Sequence, residues 1–284
     1  MIKWITTGFR IFWQWKLAVG LWESLHGCAW VIVRKALPRQ KTLAKAIMPR
    51  LRVVEIRVPG YQSPLYARWP ASDLHILYTI ITCKEYAPMI ELLNGAEEVA
   101  LLDIGANIGM ASRYLLEAFP NARVVAVEPD PGNVQMCRKN LECYGSRAQV
   151  IEAAAWNRNT SLVFEEETTQ IGLEAGVRVR PLGSGETSIP SIIGLDIPTL
   201  LSKAGAAPGI QIAIKIDAEG SEEDIFQGHD LPWLNDVSCI AIELHDSVRE
   251  NCSRNFFAAV KSHLAEPPRK ISDTVFVRLK NKEI

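Results

Sequence analysis

Cysteine is scarce and unpaired in this sequence, which argues against two classes of small stabilised domain. Six cysteines are spread over 284 residues, with no Cys-x-x-Cys pair and no histidines at zinc-finger spacing. Neither a disulfide framework nor a structural zinc site is therefore indicated. We expect a protein of the reducing cytoplasm.

The sequence also lacks a clean apolar segment of membrane-spanning length. The best candidate, residues 17–33, contains Glu23, His26 and two glycines. Arg10 and Lys16 interrupt the early apolar run, and no small-x-small cleavage site follows them. Neither a spanning helix nor a cleaved signal peptide is therefore predicted.

An overall excess of charge is missing as well, because the net charge of −1 hides an uneven distribution. Residues 1–52 carry ten Lys or Arg residues against one acid, and five of the eight tryptophans lie in the first thirty positions. This pattern predicts an amphipathic helical extension that either lies on an anionic membrane surface, at the inner face, or packs on the fold. The remaining chain is acidic, so no nucleic-acid partner is expected.

After this extension, the pattern predicts a lead-in over residues 53–98 that packs on the core, followed by an α/β domain over 99–284. The lead-in contains a strand at 53–58 and a helix that begins at Ser72-Asp73 and runs toward Tyr86. Short apolar runs then alternate with helix-period segments, which is typical of a doubly wound, mostly parallel sheet with helices on both faces. We expect strands at 99–103, 122–128, 148–153, 210–217 and 237–243, helices at 109–118, 131–144, 221–228 and 250–264, a closing edge strand at 274–279, and a loop near the site at 165–190.

A glycine turn after the first of these strands is the strongest local motif. Asp103 ends the strand, and Gly105, Asn107 and Gly109 follow before a helix begins. Glycine at such a turn lets the backbone approach a ligand closely and lets the helix pack on the strand. The turn therefore predicts a nucleotide-type cofactor site.

An acid at the end of the second strand supports that prediction. Glu128, followed by Pro129 and Asp130, stands where a carboxylate can accept both ribose hydroxyls of an adenosine. Nicotinamide enzymes favour Gly-x-Gly-x-x-Gly, but Asn107 occupies the place of the second glycine. A cofactor that has an amino-acid tail and a sulfonium in place of phosphates suits this turn better, with Asp103 on the ammonium side, directly or through water.

Two further strand ends carry polar side chains that we expect at the same crevice. Asp217 and Glu219 follow the strand at 210–217, and His245 follows the strand at 237–243. We predict His245 as a general base, because histidine titrates near neutrality, and Asp217 as the residue that orients the acceptor. A Mg²⁺ site at Asp217 and Glu219 is an alternative that we do not favour, because the sequence shows no third carboxylate.

The motifs together resemble the FkbM-type S-adenosylmethionine-dependent methyltransferases over roughly residues 72–279. The matching segments are Ser72-Asp73 with Tyr86 downstream, Asp103-Ile-Gly-Ala-Asn-Ile-Gly, Glu128-Pro-Asp-Pro, Arg138-Lys-Asn-Leu, Lys215-Ile-Asp-Ala-Glu-Gly-Ser-Glu and Ile242-Glu-Leu-His. The resemblance implies a seven-stranded class I methyltransferase fold and O-methylation of a sugar, glycolipid, polysaccharide or polyketide-like hydroxyl. It also implies that adenine lies near Ala154 and Trp156, after the third strand.

Two other interpretations of the residues remain. A nicotinamide-dependent oxidoreductase would use the same ribose-binding acid, and binding of NAD instead of S-adenosylhomocysteine would identify it. A non-catalytic, membrane-docked module would keep the fold without the chemistry, and methyl transfer to any acceptor would exclude it. The methylation of an amide or exocyclic amine is disfavoured, because such enzymes usually place Asn-Pro-Pro-Tyr where Asp217-Ala-Glu-Gly stands.

Overall fold

The computed structural model describes residues 52–69, 71–165, 176–183, 186, 189–205, 207, 209–228 and 231–280. The predicted 1–52 extension lies outside the described residues, apart from Arg52. The described residues divide into two compact units, one that ends at Cys83 and one that begins at Lys84. This boundary falls inside the predicted 53–98 lead-in. No helix among these residues has both the length and the apolar character that crossing a bilayer requires.

The first unit is a two-stranded antiparallel sheet followed by a helix. Strand β1 (Arg52–Ile56) pairs with β2 (Leu65–Trp69), and helix α1 (Asp73–Leu77) continues as a π-helical turn over Tyr78–Thr82. Ser72 takes the N-cap position as predicted, but its side chain makes no capping hydrogen bond. Instead the buried Asp73 carboxylate accepts hydrogen bonds from the backbone N–H and the guanidinium of Arg68, which fixes the helix start against β2.

The second unit contains the predicted α/β pattern. Its helices are α2 (Ala87–Leu92), α3 (Met110–Ala118), α4 (Pro131–Leu141), α5 (Ile197–Lys203), α6 (Glu222–Ile225) and α7 (Cys252–Val260), with 3-10 turns at Glu142–Arg147 and Pro232–Asp236. Its strands are β3 (Val99–Ile104), β4 (Arg123–Glu128), β5 (Ala148–Glu152), β6 (Ala154–Trp156), β7 (Thr160–Phe164), β8 (Val179–Pro181), β9 (Ile192–Asp196), β10 (Gln211–Ile216), β11 (Cys239–Glu243), β12 (Arg269–Ile271) and β13 (Thr274–Arg278).

Among the described residues, seven strands form the large sheet in the order β12-β13-β11-β10-β3-β4-β5. Strands β11, β10, β3, β4 and β5 are parallel, and β13 is antiparallel to both of its neighbours. Along the chain, β3, β4 and β5 follow one another toward one edge of the sheet. Strands β10 and β11 then follow one another on the other side of β3. Because such crossovers are right-handed, their helices cover opposite faces, and this explains why the central strands are apolar at almost every position.

Four details differ from the sequence-based expectations. The strand predicted at the sheet edge, β13, lies between β11 and β12 because the short β12 pairs with its outer side. Helix α6 is only four residues long, because Phe226 leaves the helical conformation. The region 165–190, predicted as a loop, contains strand β8. A second sheet, with the order β6-β9-β7-β8, was not predicted.

Candidate active site

The predicted site residues meet at the carboxyl ends of the parallel strands. Strands β3 and β10 are neighbours at the point where the strand order reverses, which is where ligands bind in open α/β sheets. The glycine turn follows β3, and Asp217 follows β10. Glu128 ends β4, and His245 lies two residues beyond the end of β11.

The glycine turn is held tightly against the end of β10. Gly105 has a φ of +70°, and a Cβ atom there would come within 1.8 Å of the Asp217 carbonyl oxygen. The N–H groups of Gly105 and Ala106 both donate to the Val127 carbonyl, at 2.9 and 3.0 Å. Asn107 has a φ of +51°, a conformation that asparagine tolerates better than most residues. Only glycine therefore fits at position 105 without displacing the end of β10.

The carboxylate of Asp103 is already occupied within the protein. It is 1% exposed and accepts hydrogen bonds from the backbone N–H and the hydroxyl of Ser112, at 3.0 and 2.6 Å. Lys215, its direct neighbour on β10, places Nζ 3.2 Å from Asp103 Oδ1. Burial lowers the pKa of Lys215, but the charges of Asp103, Tyr86 and Asp217 together outweigh this effect, and the pKa is raised. The predicted contact of Asp103 with the cofactor ammonium stays a prediction.

Glu128 is anchored in a similar way but keeps capacity for a ligand. Its Oε2 accepts from the Asn107 N–H at 2.8 Å, and its Oε1 accepts from the Asp130 N–H at 3.0 Å and from Asn133 Nδ2 at 3.3 Å. A carboxylate offers about four acceptor positions, so about one is left for a ribose hydroxyl. Burial raises the pKa of Glu128 to about 7, although these donors act against the shift.

A second cluster lies at the ends of β10 and β11, centred on His245. Its Nδ1 is 3.0 Å from Oε1 of Glu222, a fully buried carboxylate that also accepts the N–H groups of Ala218 and Gly220. The other ring nitrogen, Nε2, faces three carboxylates: Asp217 at 3.7 Å, Glu219 at 3.7 Å and Glu243 at 3.8 Å. Glu222 thus fixes the ring so that Nε2 points into an acidic pocket.

The crowding of carboxylates changes the titration of this cluster. Burial lowers the pKa of His245, but its hydrogen bond to Glu222 and the charges of Glu222, Glu219 and Asp217 raise that pKa to about 9. Burial and then the charge of Asp217 raise the pKa of Glu243 to about 7, and the same two causes raise the pKa of Glu219. The surrounding acids therefore favour the protonated ring at neutral pH, whereas the prediction of His245 as the base assumed titration near neutrality, and its role as the base stays a prediction. The pKa of Glu243 thus lies near neutral pH, as does that of Glu128 at the end of β4.

The same cluster contains the residues that could hold a metal ion. One ligand atom each of Asp217, Glu243 and His245 all lie within 4.8 Å of one another. Glu243 is the third carboxylate that the sequence did not reveal. Two carboxylates and an imidazole suit a divalent transition metal better than Mg²⁺, which prefers oxygen ligands alone.

Comparison with known proteins decides the family. The model of the family described as "Methyltransferase FkbM domain" matches residues 103–266, which contain the glycine turn, Glu128 and the His245 cluster. The chain belongs to the FkbM methyltransferase family. The prediction of an S-adenosylmethionine-dependent methyltransferase is thereby confirmed, and the order of the large sheet confirms the predicted fold class.

Individual relatives of this FkbM methyltransferase are distant. Methyltransferase 1 of Beauveria bassiana is 23% identical over 201 residues, which cover 66% of this chain and 78% of the relative. The 2-O-methyltransferase NoeI of Sinorhizobium fredii is 33% identical over 81 residues, which cover 28% of this chain and 32% of the relative. A solved O-methyltransferase from Bacillus cereus, in complex with SAH, aligns with a TM-score of 0.39 at 14% identity, over 70% of this chain and 81% of that chain.

The donor set of this FkbM methyltransferase fits S-adenosylmethionine. Asp217 Oδ1 is buried and has no hydrogen-bond partner among the described residues, so it can accept from an ammonium or a hydroxyl group. Glu128 has an acceptor position open to a ribose hydroxyl. A cofactor with an ammonium, a ribose and no phosphates matches these acids.

The remaining residues predicted to surround the cofactor lie in two separate segments, one after β4 and one in β6. Pro129 and Asp130 continue from Glu128, and the Asp130 side chain caps α4 by accepting from the Asn133 N–H. Ala154 and Trp156 are both in β6, where the Trp156 ring is 2% exposed and lies under the Arg249 guanidinium at 5.4 Å. Because the Trp156 ring is nearly enclosed, stacking on adenine stays a prediction.

Sequence reasoning missed three members of the FkbM site. Lys215 and Glu222 stand in the matched motif, but a lysine inside a strand and an acid at a helix start have ordinary structural explanations. Glu243 precedes His245 by two residues at the end of β11, and its position in the sequence does not show that its carboxylate faces the imidazole. The alternation of side chains along β10 could have revealed Lys215, because it places Lys215 on the same face as Asp217.

Proposed function

We propose that this enzyme methylates a hydroxyl group of a sugar, glycolipid, polysaccharide or polyketide-like small molecule. The observation that carries the proposal is the cluster around His245, in which three carboxylates face one imidazole nitrogen. A hydroxyl group must lose its proton as the new O–C bond forms, and this cluster offers acceptors for that proton. The name of the S. fredii relative, a 2-O-methyltransferase, supports the same reaction class.

The protein contributes binding and alignment on both sides of the reaction. When bound, S-adenosylmethionine supplies an electrophilic methyl group at its sulfonium. Glu128 would accept the ribose hydroxyls, and the turn from Asp103 to Gly109 would lie along the methionyl part. Asp217 Oδ1 would orient the acceptor hydroxyl, because it is buried, accepts no hydrogen bond from the described residues and lies 3.7 Å from His245 Nε2. Alignment of two reactants in this way supplies most of the rate gain in a displacement reaction.

Within the cluster, Glu243 is the residue that we assign as proton acceptor, with His245 as the cation that holds the carboxylates together. Asp217, Glu219, Glu222 and Glu243 all approach the His245 ring and keep it protonated at neutral pH, so its predicted role as base requires alkaline conditions. The Glu243 carboxylate is half-exposed and faces the same pocket. A base whose pKa of about 7 matches the working pH is the more effective proton acceptor.

The test is methyl transfer from labelled S-adenosylmethionine to matched acceptors that present a hydroxyl or an amine in the same position. Label on oxygen supports the proposal, and label on nitrogen alone contradicts it. His245→Gln should lower the transfer rate while S-adenosylhomocysteine affinity stays close to wild type, with His263→Gln as the control for loss of a histidine remote from the cluster in sequence. The same assay should be repeated in the presence of a chelator, which we expect to have little effect on the transfer rate. Complete loss of activity would instead indicate that Asp217, Glu243 and His245 bind a metal ion.

A further inference from the structure

Lys215 is a buried cation that the proposed chemistry does not use. Its side chain is 5% exposed, between Ile214 and Ile216 in the central strand β10. Its ammonium group contacts three oxygens: Asp103 Oδ1 at 3.2 Å, the Ile104 carbonyl at 3.2 Å and the Gly105 carbonyl at 2.7 Å. An ammonium has three N–H donors, so these contacts use all of them.

The large sheet itself does not require a lysine at this position. Burial of a charge is costly, and an apolar side chain in place of a buried ion pair is often neutral or stabilising. The two carbonyl groups, however, belong to the last residue of β3 and the first residue of the glycine turn, where the chain leaves the sheet. Lys215 therefore fixes the backbone at the start of the cofactor turn.

The same ammonium group also reaches toward the acceptor side. Lys215 Nζ is 3.9 Å from Asp217 Oδ2, and the Asp217 N–H donates to the Ile104 carbonyl at 3.1 Å. One side chain thus connects the cofactor turn with the carboxylate that faces His245.

We propose that Lys215 is a positioning residue that holds the 103–109 turn and the Asp217 carboxylate in one fixed arrangement. In-line transfer is sensitive to displacement, and a misplacement of about 1 Å can lower a rate roughly 100-fold. The effect on the acceptor side rests on the proposed function. The effect on the cofactor turn does not, because it is measured by cofactor binding alone.

The main test is the double variant Asp103→Asn/Lys215→Met, which removes both charges together and so leaves no unpaired buried charge. We expect a folded protein whose Kd for S-adenosylhomocysteine, measured by calorimetry, is about 10-fold or more above that of the Asp103→Asn single variant, which accounts for any direct contact of Asp103 with the cofactor. Its kcat should fall by a further factor of about 100. The double variant Arg68→Met/Asp73→Asn removes a buried ion pair from the first unit and should lower the melting temperature without changing that Kd.

A conservative second variant separates positioning from general stability. Asp103→Asn/Lys215→Gln keeps a neutral N–H donor near the two carbonyl groups, and its Kd should lie between those of the methionine variant and the wild type. Amide hydrogen exchange at residues 105–109 should be faster in this variant, and this measurement serves even if the methionine variant does not fold. A wild-type Kd together with wild-type exchange in the glutamine variant would overturn the proposal. Failure of hydroxyl methylation in wild-type enzyme would overturn the proposed function and leave the Kd result standing.

Discussion

The two halves of the site use acidic residues in opposite ways, although both lie at the ends of strands in the same sheet. On the cofactor side, Asp103 and Glu128 are nearly inaccessible, and donors at 2.6–3.3 Å engage their oxygens. On the acceptor side, Asp217 and Glu243 are partly exposed and face His245 at 3.7–3.8 Å. In the first arrangement most acceptor positions are engaged by the protein itself before any ligand binds, whereas the second still lacks hydrogen-bond donors.

This difference separates the side chains that must stay rigid, Asp103 and Glu128, from those that must respond to substrate, Asp217 and Glu243. A cofactor of fixed shape is best met by groups that are already oriented, because no energy is then lost in ordering them. Crowded carboxylates instead raise the pKa of neighbouring groups, to about 7 for Glu243 and about 9 for His245. The cofactor side should therefore respond to mutation mainly in binding, and the acceptor side mainly in rate and pH dependence.

The largest effect is expected from Gly105→Ala, on the rigid side. The new Cβ atom would overlap the Asp217 carbonyl at 1.8 Å, and the φ of +70° disfavours any side chain. We expect a loss of roughly 3 kcal/mol or more of folding stability, and no measurable S-adenosylhomocysteine binding in the protein that remains folded. Thermal unfolding and calorimetry give the two values.

The matched control for this prediction is Gly205→Ala. Gly205 has nearly the same φ, +73°, but no atom lies within 4 Å of the position that its Cβ would take. Gly205→Ala should therefore lower the free energy of unfolding by only about 1 kcal/mol, because only the backbone conformation is disfavoured. Equal losses in the two variants would show that collision with β10 is not what makes Gly105 necessary.

The next largest effect is expected from Glu243→Gln, on the responsive side. Removal of a proton acceptor should lower kcat by about 10²- to 10⁴-fold, with S-adenosylhomocysteine affinity close to wild type. In the wild type, the rate should rise with pH around a midpoint near 7 as the Glu243 carboxylate forms, and this rise should vanish in the variant. A wild-type rate that instead rises near pH 9 would favour His245, in its neutral form, as the base.

A smaller loss, confined to binding, is expected from Glu128→Ala. Loss of a charge-assisted hydrogen bond to the ribose should weaken S-adenosylmethionine binding by roughly 1.5–3 kcal/mol. Glu152→Ala is the control, because Glu152 is the exposed residue directly opposite Glu128 in the β4 and β5 pairing. Unchanged affinity in a folded Glu128→Ala protein would remove Glu128 from the cofactor site.

The contrast between the two halves also explains what the sequence could reveal. The central strands and the glycine turn follow from short-range patterns: apolar runs, two closely spaced glycines and an acid at a strand end. The cofactor side was therefore predictable from Asp103, Gly105 and Glu128. Strand β12 and the second sheet were missed, because strands of three to five residues carry little periodicity and depend on pairing with distant segments.

The electrostatics of the acceptor side could not be predicted, because they depend on distances between residues on different strands and helices. Glu222 and His245 are 23 positions apart in sequence, and their contact fixes the ring orientation. The charge of the neighbouring acids then raises the pKa of the ring to about 9, which the sequence alone did not indicate. Similarly, the sequence alone gives no specific role for Lys215. The register of β3 and β10 reveals one, because it places Lys215 opposite Asp103.

The smallest expected effect, and the sharpest test of the contrast, is a gain of stability in Glu219→Gln. Burial and the charge of Asp217 raise the pKa of Glu219, so its ionised form opposes folding. Since the folded-state pKa lies above the ordinary value of 4.5, this cost is absent at low pH and appears as the pH rises through the raised pKa. The glutamine variant should therefore be slightly more stable than wild type at neutral pH, and equal to it below pH 4.5. Chemical denaturation at both pH values measures the difference, with the exposed Glu266→Gln as the control that should show neither a gain nor a pH dependence. A loss of stability at neutral pH would mean that Glu219 is held by favourable contacts, as Asp103 is, and that the acceptor side is as complete as the cofactor side.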